Sequence, residues 1–280
     1  MNDNGNNGNL NRKFNLNRDI IDPNNPEHKT IILAVPRAGL PKSIDLRPQC
    51  PPIYDQGTLG SCTGNGLAAA FAFIEHHKLN SKPNTNSFLK PHLKPDSNKT
   101  WFMPSRLFIY YNERRMEGTI PDDAGASIAD GVKSIHDIGV CSETHWPYDI
   151  TKFTQQPPTL LYKEAAKHRT NKYRRLSNNL IQLKTALAQN SLVVFGICVY
   201  ESFQSDEVAR TGIVPMPGPN EHFLGGHCIV LCGYNDETSM FIVRNSWGTQ
   251  WGQQGYCEMP YTYVSDENLS CDFWAIVSNF

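Results

Sequence analysis

From Gly66 to Ile74 every position is apolar or small, and the pattern runs on to Leu79 with no polar stripe at the helical period. Such a stretch predicts a helix covered on most of its faces, unlike a surface helix with one wet side. Pro104–Glu117, opened by Pro104-Ser105, and Ser127–Ile138, closed by Gly139, read as two more helices, and Ile181–Gln189 as a fourth. Beyond residue 190 the period shortens. Leu192–Tyr200, Cys228–Tyr234, Phe241–Asn245 and Gly255–Met259 are β-branched and aromatic runs that predict strands. Helices first and strands later predict an α+β fold in two lobes, and no internal repeat interrupts that order.

The polar stretches divide the chain. Residues 1–29 are Asn-rich with too little apolar content to fold alone, and Thr30–Val35 (TIILAV), stopped by Pro36, predicts an edge strand. Residues 80–100 carry four lysines, three prolines and four asparagines and predict an exposed excursion, while 151–162, with its Gln-Gln-Pro-Pro turn, reads as a connector. The resulting division is a polar N-terminal segment over 1–40, a mainly helical lobe over 41–150, and a β-rich lobe over 151–280.

Bulk composition narrows the function. With 280 residues, 39% hydrophobic, and a formal net charge of −1, the chain has a sizeable core and no basic block for nucleic acid or an anionic membrane. Its longest apolar stretches fall far below the roughly 20 residues of a membrane span, and the N-terminus lacks the apolar centre of a secretory signal. An intracellular or non-classically delivered protein is the expectation. Eight cysteines in a chain this long do not demand disulfides. Cys228 and Cys232 fall within one apolar strand, which suits core packing better than zinc.

The candidate chemistry lies in three segments. Gln56 to Cys62 (QGTLGSC) runs straight into the apolar helix, which places a thiol on a first turn, where unpaired N–H groups and the macrodipole favour an anion. Gly225-Gly226-His227 supplies an imidazole, and Asn245-Ser246-Trp247-Gly248 an amide beside an aromatic ring. Thiol, imidazole and amide in that chain order are what thiol acyl transfer needs. His76-His77 reads as a solvated helix end.

From about residue 41 to 280 these motifs resemble the papain-like cysteine peptidases. The resemblance implies a two-lobe fold, with a helical lobe, a β-barrel-like lobe and the active site in the cleft between them. It implies Cys62 as nucleophile, His227 as acid and base, and Asn245 as the orienter of the imidazole, with Trp247 shielding that bond. Gln56 and the Cys62 N–H would bind the oxyanion. Gly125 and Gly226 are candidates for pairing with substrate backbone, and Ser270–Trp274 resembles the end of the specificity pocket. The implied activity is endopeptidase hydrolysis of peptide or protein substrates through a thioester, with exopeptidase or acyltransferase use of the same acyl-enzyme as alternatives. No cofactor and no metal is implied, and the oligomeric state is unreadable.

The pattern departs from the family at two places. Leu59 stands where a cysteine usually precedes the nucleophile, and Thr63 where a tryptophan follows it. The family is commonly made as a zymogen, and mature chains begin near a segment like Leu40–Asp45. The upstream residues are therefore a candidate intramolecular inhibitor. Two placements of Thr30–Gly39 stay open, along the cleft or docked outside as an extra strand.

Overall fold

The computed structural model describes residues 12–22, 28–80, 101–170 and 172–277; the excursion expected at 80–100 lies almost wholly outside them. In chain order the elements are β1 (Leu16–Asn17), β2 (Ser43–Asp45), α1 (Cys62–Asn80), α2 (Arg106–Glu117), β3 (Ala126–Ser127) and α3 (Ile128–Asp137). There follow α4 (Thr159–Ala165), β4 (Tyr173–Leu176), α5 (Leu180–Ala188), β5 (Val193–Tyr200), α6 (Asp206–Thr211) and β6 (Phe223–Asn235). β7 (Met240–Arg244), β8 (Tyr256–Pro260), α7 (Tyr261–Ser265) and β9 (Ser270–Ile276) complete the chain.

Local chemistry accounts for the helix ends. The Ser105 hydroxyl accepts from the Phe108 N–H to start α2, and Gly118, in the left-handed region at φ 75°, ends it. Ser127 caps α3 through the Asp130 N–H, and Asn179 caps α5 through Ile181 and Gln182. Helix α1 is buried from Cys62 to Ile74, as its unbroken apolar pattern predicts. His76 is buried too and stacks on Trp101 at 3.9 Å between ring centroids, so this end of the helix is packed where a solvated one was expected.

Seven antiparallel strands form one sheet in the order β4-β9-β5-β6-β7-β8, with β2 added to β6. The outer strands β4 and β8 do not pair with each other, so the β-rich half is an open sheet and not the closed barrel-like lobe the sequence suggested. The thirteen-residue β6 is its spine: it begins beside β5 and ends between β7 and β2. Phe195 of β5 and Phe273 of β9 stack at 5.1 Å, and burying one such ring stabilises by roughly 1.5–3 kcal/mol. Gly66 lets α1 lie directly on this sheet: a Cβ there would stand 3.1 Å from Cys228 Sγ and 3.5 Å from Val194 and Val230.

The strands β1, β2, β3, β4 and β9, the helices α6 and α7, and α4, which starts inside the presumed connector, escape the sequence pattern. The N-terminal residues divide in two. Thr30 bridges Arg175, the Ile31 N–H donates to the Arg175 carbonyl, and Leu33 exchanges hydrogen bonds with Gln182, so this stretch docks on the outside of β4 and α5. What lies between the helical and β-rich halves is an earlier piece, Arg12–Asp19. Its β1 pairs in parallel with β3 on the helical side, and Asn15 bridges Gly226 on the sheet side. All eight cysteines are described, and none is in a disulfide.

Candidate active site

Cys62 is the first residue of α1, and its thiol faces three backbone N–H groups, those of Cys228, Thr63 and Cys62 itself. Cys228 directly follows His227, so the packing of α1 on β6 brings thiol and imidazole segments together. Thr63 does not wall the cleft. It is buried and donates to Glu113 Oε2 at 2.7 Å, tying the start of α1 to α2. Leu59 is likewise a core residue.

The imidazole has one defined partner. His227 Nε2 lies 2.8 Å from Asn245 Oδ1, and the Ser246 N–H donates to the same oxygen at 2.8 Å. A backbone N–H can only donate, so that atom is an acceptor; Nε2 must therefore carry the hydrogen, and the neutral ring keeps its lone pair on Nδ1. Among the described residues Nδ1 has no hydrogen-bond partner. Trp247 stacks on the imidazole at 5.0 Å and 28° and is itself only 6% exposed.

Gln56 is wholly buried at the same point. Its Oε1 accepts from the Ser246 hydroxyl at 2.7 Å, its N–H donates to the Ser246 carbonyl, and Nε2 donates to the Leu59 carbonyl at 3.0 Å. Those bonds fix the amide with a second Nε2 hydrogen still to place. The structure thus brings Gln56, Cys62, His227, Asn245 and Trp247 into one cluster.

Arg12–Asp19 covers that cluster as a strap. The Phe14 ring meets His227 edge-on at 6.2 Å and Trp247 at 5.9 Å. At Gly125, φ +74°, a Cβ would lie 1.6 Å from the Asn15 carbonyl oxygen; at Gly226 it would lie 2.8 Å from that of Leu16. Only glycine admits a backbone so close, so the two glycines singled out in the sequence both face an extended peptide. The Leu16 side chain reaches Gly196, where a Cβ would stand 2.4 Å from Leu16 and 3.1 Å from Cys271 Sγ. At the far end Asp19 accepts from Trp274 Nε1 at 2.6 Å and from the Ala129 N–H at 2.9 Å.

The cover sets the electrostatics. Burial pushes the Cys62 thiol up to about 12, against the pull of the surrounding N–H groups. Burial also lowers His227 to about 4; the Asn245 bond opposes this shift, and the Arg12 charge adds to it. The pair is therefore neutral under the strap, where the helix terminus alone predicted a thiolate. Among the described residues no group of three or more His, Cys, Asp or Glu side chains is placed to hold a metal ion.

Sequence reasoning missed the strap residues Arg12, Phe14, Leu16 and Asp19. One signal was present: Phe14-Asn15-Leu16 alternates apolar and polar inside an otherwise polar segment, the period of an extended strand.

Comparison with known proteins fits this geometry. The family model for papain family cysteine proteases matches residues 121–273. The uncharacterized peptidase C1-like protein L477 of Acanthamoeba polyphaga mimivirus is 46% identical over 237 residues, 82% of this chain and 70% of that one. Cysteine proteinase 1 of Entamoeba histolytica is 26% identical over 230 residues, 78% of this chain and 63% of its own length. Among solved structures, xylellain, a cysteine protease from Xylella fastidiosa, superposes with a TM-score of 0.80 at 35% identity over 96% of this chain and 97% of its own. A digestive procathepsin L of Tenebrio molitor shares the fold at 17% identity and a TM-score of 0.61, over 89% of this chain and 74% of its own. On its matched residues, its relatives and its fold, the chain belongs to the papain family of cysteine proteases and is a hydrolase.

Proposed function

We propose that the chain is a cysteine-type endopeptidase that works through Cys62, His227 and Asn245, and that Arg12–Asp19 holds it latent. The observation carrying this reading is the continuous extended strap through the cleft, which lies against Gly125 and Gly226 and buries a thiol and an imidazole whose free Nδ1 is fixed by Asn245. A cleft that passes an extended chain from the Asp55–Trp247 end to the Asp272–Trp274 end favours cleavage within a chain.

With the strap displaced, water returns and the burial that keeps both groups neutral is relieved. His227 Nδ1 then takes the thiol proton, and the thiolate, held by the N–H groups of Cys62, Thr63 and Cys228, attacks the scissile carbonyl. The second Nε2 hydrogen of Gln56 and the Cys62 N–H receive the developing oxyanion. His227 gives its proton to the leaving amine, a thioester remains, and water activated by the same imidazole releases the product acid. Asn245 keeps the ring in register through both steps, and Trp247 keeps that bond dry. Gly125 and Gly226 take the substrate backbone where they now meet Asn15 and Leu16.

The test is intact-mass labelling of the full chain with an epoxysuccinyl cysteine-peptidase inhibitor. The expected result is slow single labelling of the wild type and none of Cys62→Ala. A Leu16→Glu chain, whose charge is rejected by Gly196 and Cys271, should label faster by about tenfold or more, since rejecting a buried charge is worth over 1.4 kcal/mol. Equal rates for wild type and Leu16→Glu would remove the latency, and labelling that survives Cys62→Ala would remove the nucleophile.

A further inference from the structure

Arg12 is the most completely held side chain of the strap. Its Nη1 donates to Asp55 Oδ1 at 2.6 Å and to the Gly57 carbonyl at 3.1 Å, and its Nη2 donates to the Trp247 carbonyl at 3.3 Å. The guanidinium carbon lies 5.7 Å from the Trp247 ring centroid, and the side chain is only 10% exposed. Asp55 is fixed in turn, because Oδ1 also accepts the Gly57 N–H at 2.8 Å. Burial alone would raise its pKa, but the Arg12 and Gly57 bonds outweigh that and hold the carboxyl below its ordinary value. The planar fork of arginine meets all three acceptors while its face lies near the Trp247 ring.

From this we infer that the Trp247 end of the cleft is a subsite for an arginine side chain of the substrate, formed by the Asp55 carboxylate, the Gly57 and Trp247 carbonyls and the Trp247 ring. The inference rests on the peptidase reading and extends it to a substrate class, peptides with arginine beyond the cut. The side of the cut follows from the chemistry. His227 must protonate the leaving amine, and His227 stacks on Trp247, whereas Gly125 and Gly226 grip backbone at the other end. When the strap leaves, Asp55, already 47% exposed and still held by the Gly57 N–H, loses its guanidinium partner and can take another. The neighbouring pair Lys13–Asp123 is different in kind, for Asp123 is spent on the Gly60 N–H and the Tyr110 hydroxyl and serves the fold.

The experiment uses the full chain with Arg12→Ala and Leu16→Glu, so that the strap neither fills the subsite nor closes the cleft. Peptides that differ only in arginine, citrulline or alanine at each of the first three positions after the cut are compared by kcat/KM. Arginine should exceed its neutral isostere citrulline at one of these positions by about tenfold, ~1.4 kcal/mol. Adding Asp55→Asn should bring that ratio close to one. Cleavage at equal rates for arginine and citrulline at every position would overturn the subsite and leave the peptidase reading standing. So would a ratio that Asp55→Asn does not change. If no peptide is cut and Cys62 takes no inhibitor, the peptidase reading fails, and the subsite falls with it.

Discussion

Gln56 meets two demands with one amide, and they can be separated by measurement. Its Oε1 holds the Ser246 hydroxyl and its Nε2 holds the Leu59 carbonyl, so it ties the loop before Cys62 to the strand-end turn after Asn245. On the proposed mechanism the remaining Nε2 hydrogen meets charge only in the transition state. Gln56→Ala in the opened Leu16→Glu chain should therefore lower kcat by about 10²–10³-fold and leave KM within a few-fold. A purely structural role would instead lower the melting temperature and raise KM without that loss of turnover. Asn245 is read the same way. Because its oxygen already accepts from the Ser246 N–H, the amide cannot flip to present nitrogen to His227, and the tautomer with the lone pair on Nδ1 is built into the backbone.

At the scale of elements, the site is a contact between one helix and one strand. Gly66 allows α1 to approach β6 closely, and the first residue of the helix meets the N–H of Cys228. Gly66→Val should push the helix off Cys228, Val194 and Val230, costing about 1–3 kcal/mol of stability by overpacking. It should also slow inhibitor labelling of Cys62 in the opened chain by more than the fraction unfolded explains. A labelling rate unchanged beside a lowered melting temperature would show that the helix start is held by other contacts. Helix α1 and the strands β5 to β8 were legible because their apolar runs are long and largely buried, so the periodicity carries the signal, whereas β9 was not read as a strand. The candidate residues Gln56, Cys62, His227 and Asn245 were readable as residue types in the family's chain order. The short elements β4, α6 and α7 were not, since four to six residues hold too little periodicity and their boundaries are set by tertiary contacts. The open sheet was hidden for a related reason, because closure depends on whether β4 and β8 meet, and no local pattern records that. The strap was missed because partners such as Gly125, Gly226, Trp247 and Trp274 lie more than 100 residues away in sequence, where no local pattern records them.

Across the whole molecule, the strap links two titrating groups at opposite ends of the cleft, and their effects on docking have opposite signs. Asp19 sits among Asp272, Trp274, the Ala129 N–H and Arg175. Burial and the Asp272 charge raise it from an ordinary 3.8 to about 7. A carboxyl raised on docking favours the docked strap fully below 3.8 and loses that contribution as pH climbs through about 7. His227, buried beside Asn245 and Arg12, is lowered on docking from 6.5 to about 4. Its contribution is present above 6.5 and lost as pH falls through about 4. Between pH 4 and 6.5 the two oppose each other, so latency in the wild type should change little there. Asp19→Asn deletes the first group. It also weakens docking at every pH, since an amide cannot accept at both ends from Trp274 and Ala129. The informative quantity is therefore the shape of the profile: the Cys62 labelling rate divided by that of a chain opened with Leu16→Arg, whose charge persists across this window, at the same pH. For Asp19→Asn this ratio should rise steadily as pH drops from 6.5 toward 4, because the His227 contribution is left unopposed. If the ratio in Asp19→Asn runs parallel to the wild type across that window, the Asp19 end of the strap has no part in setting its pH response.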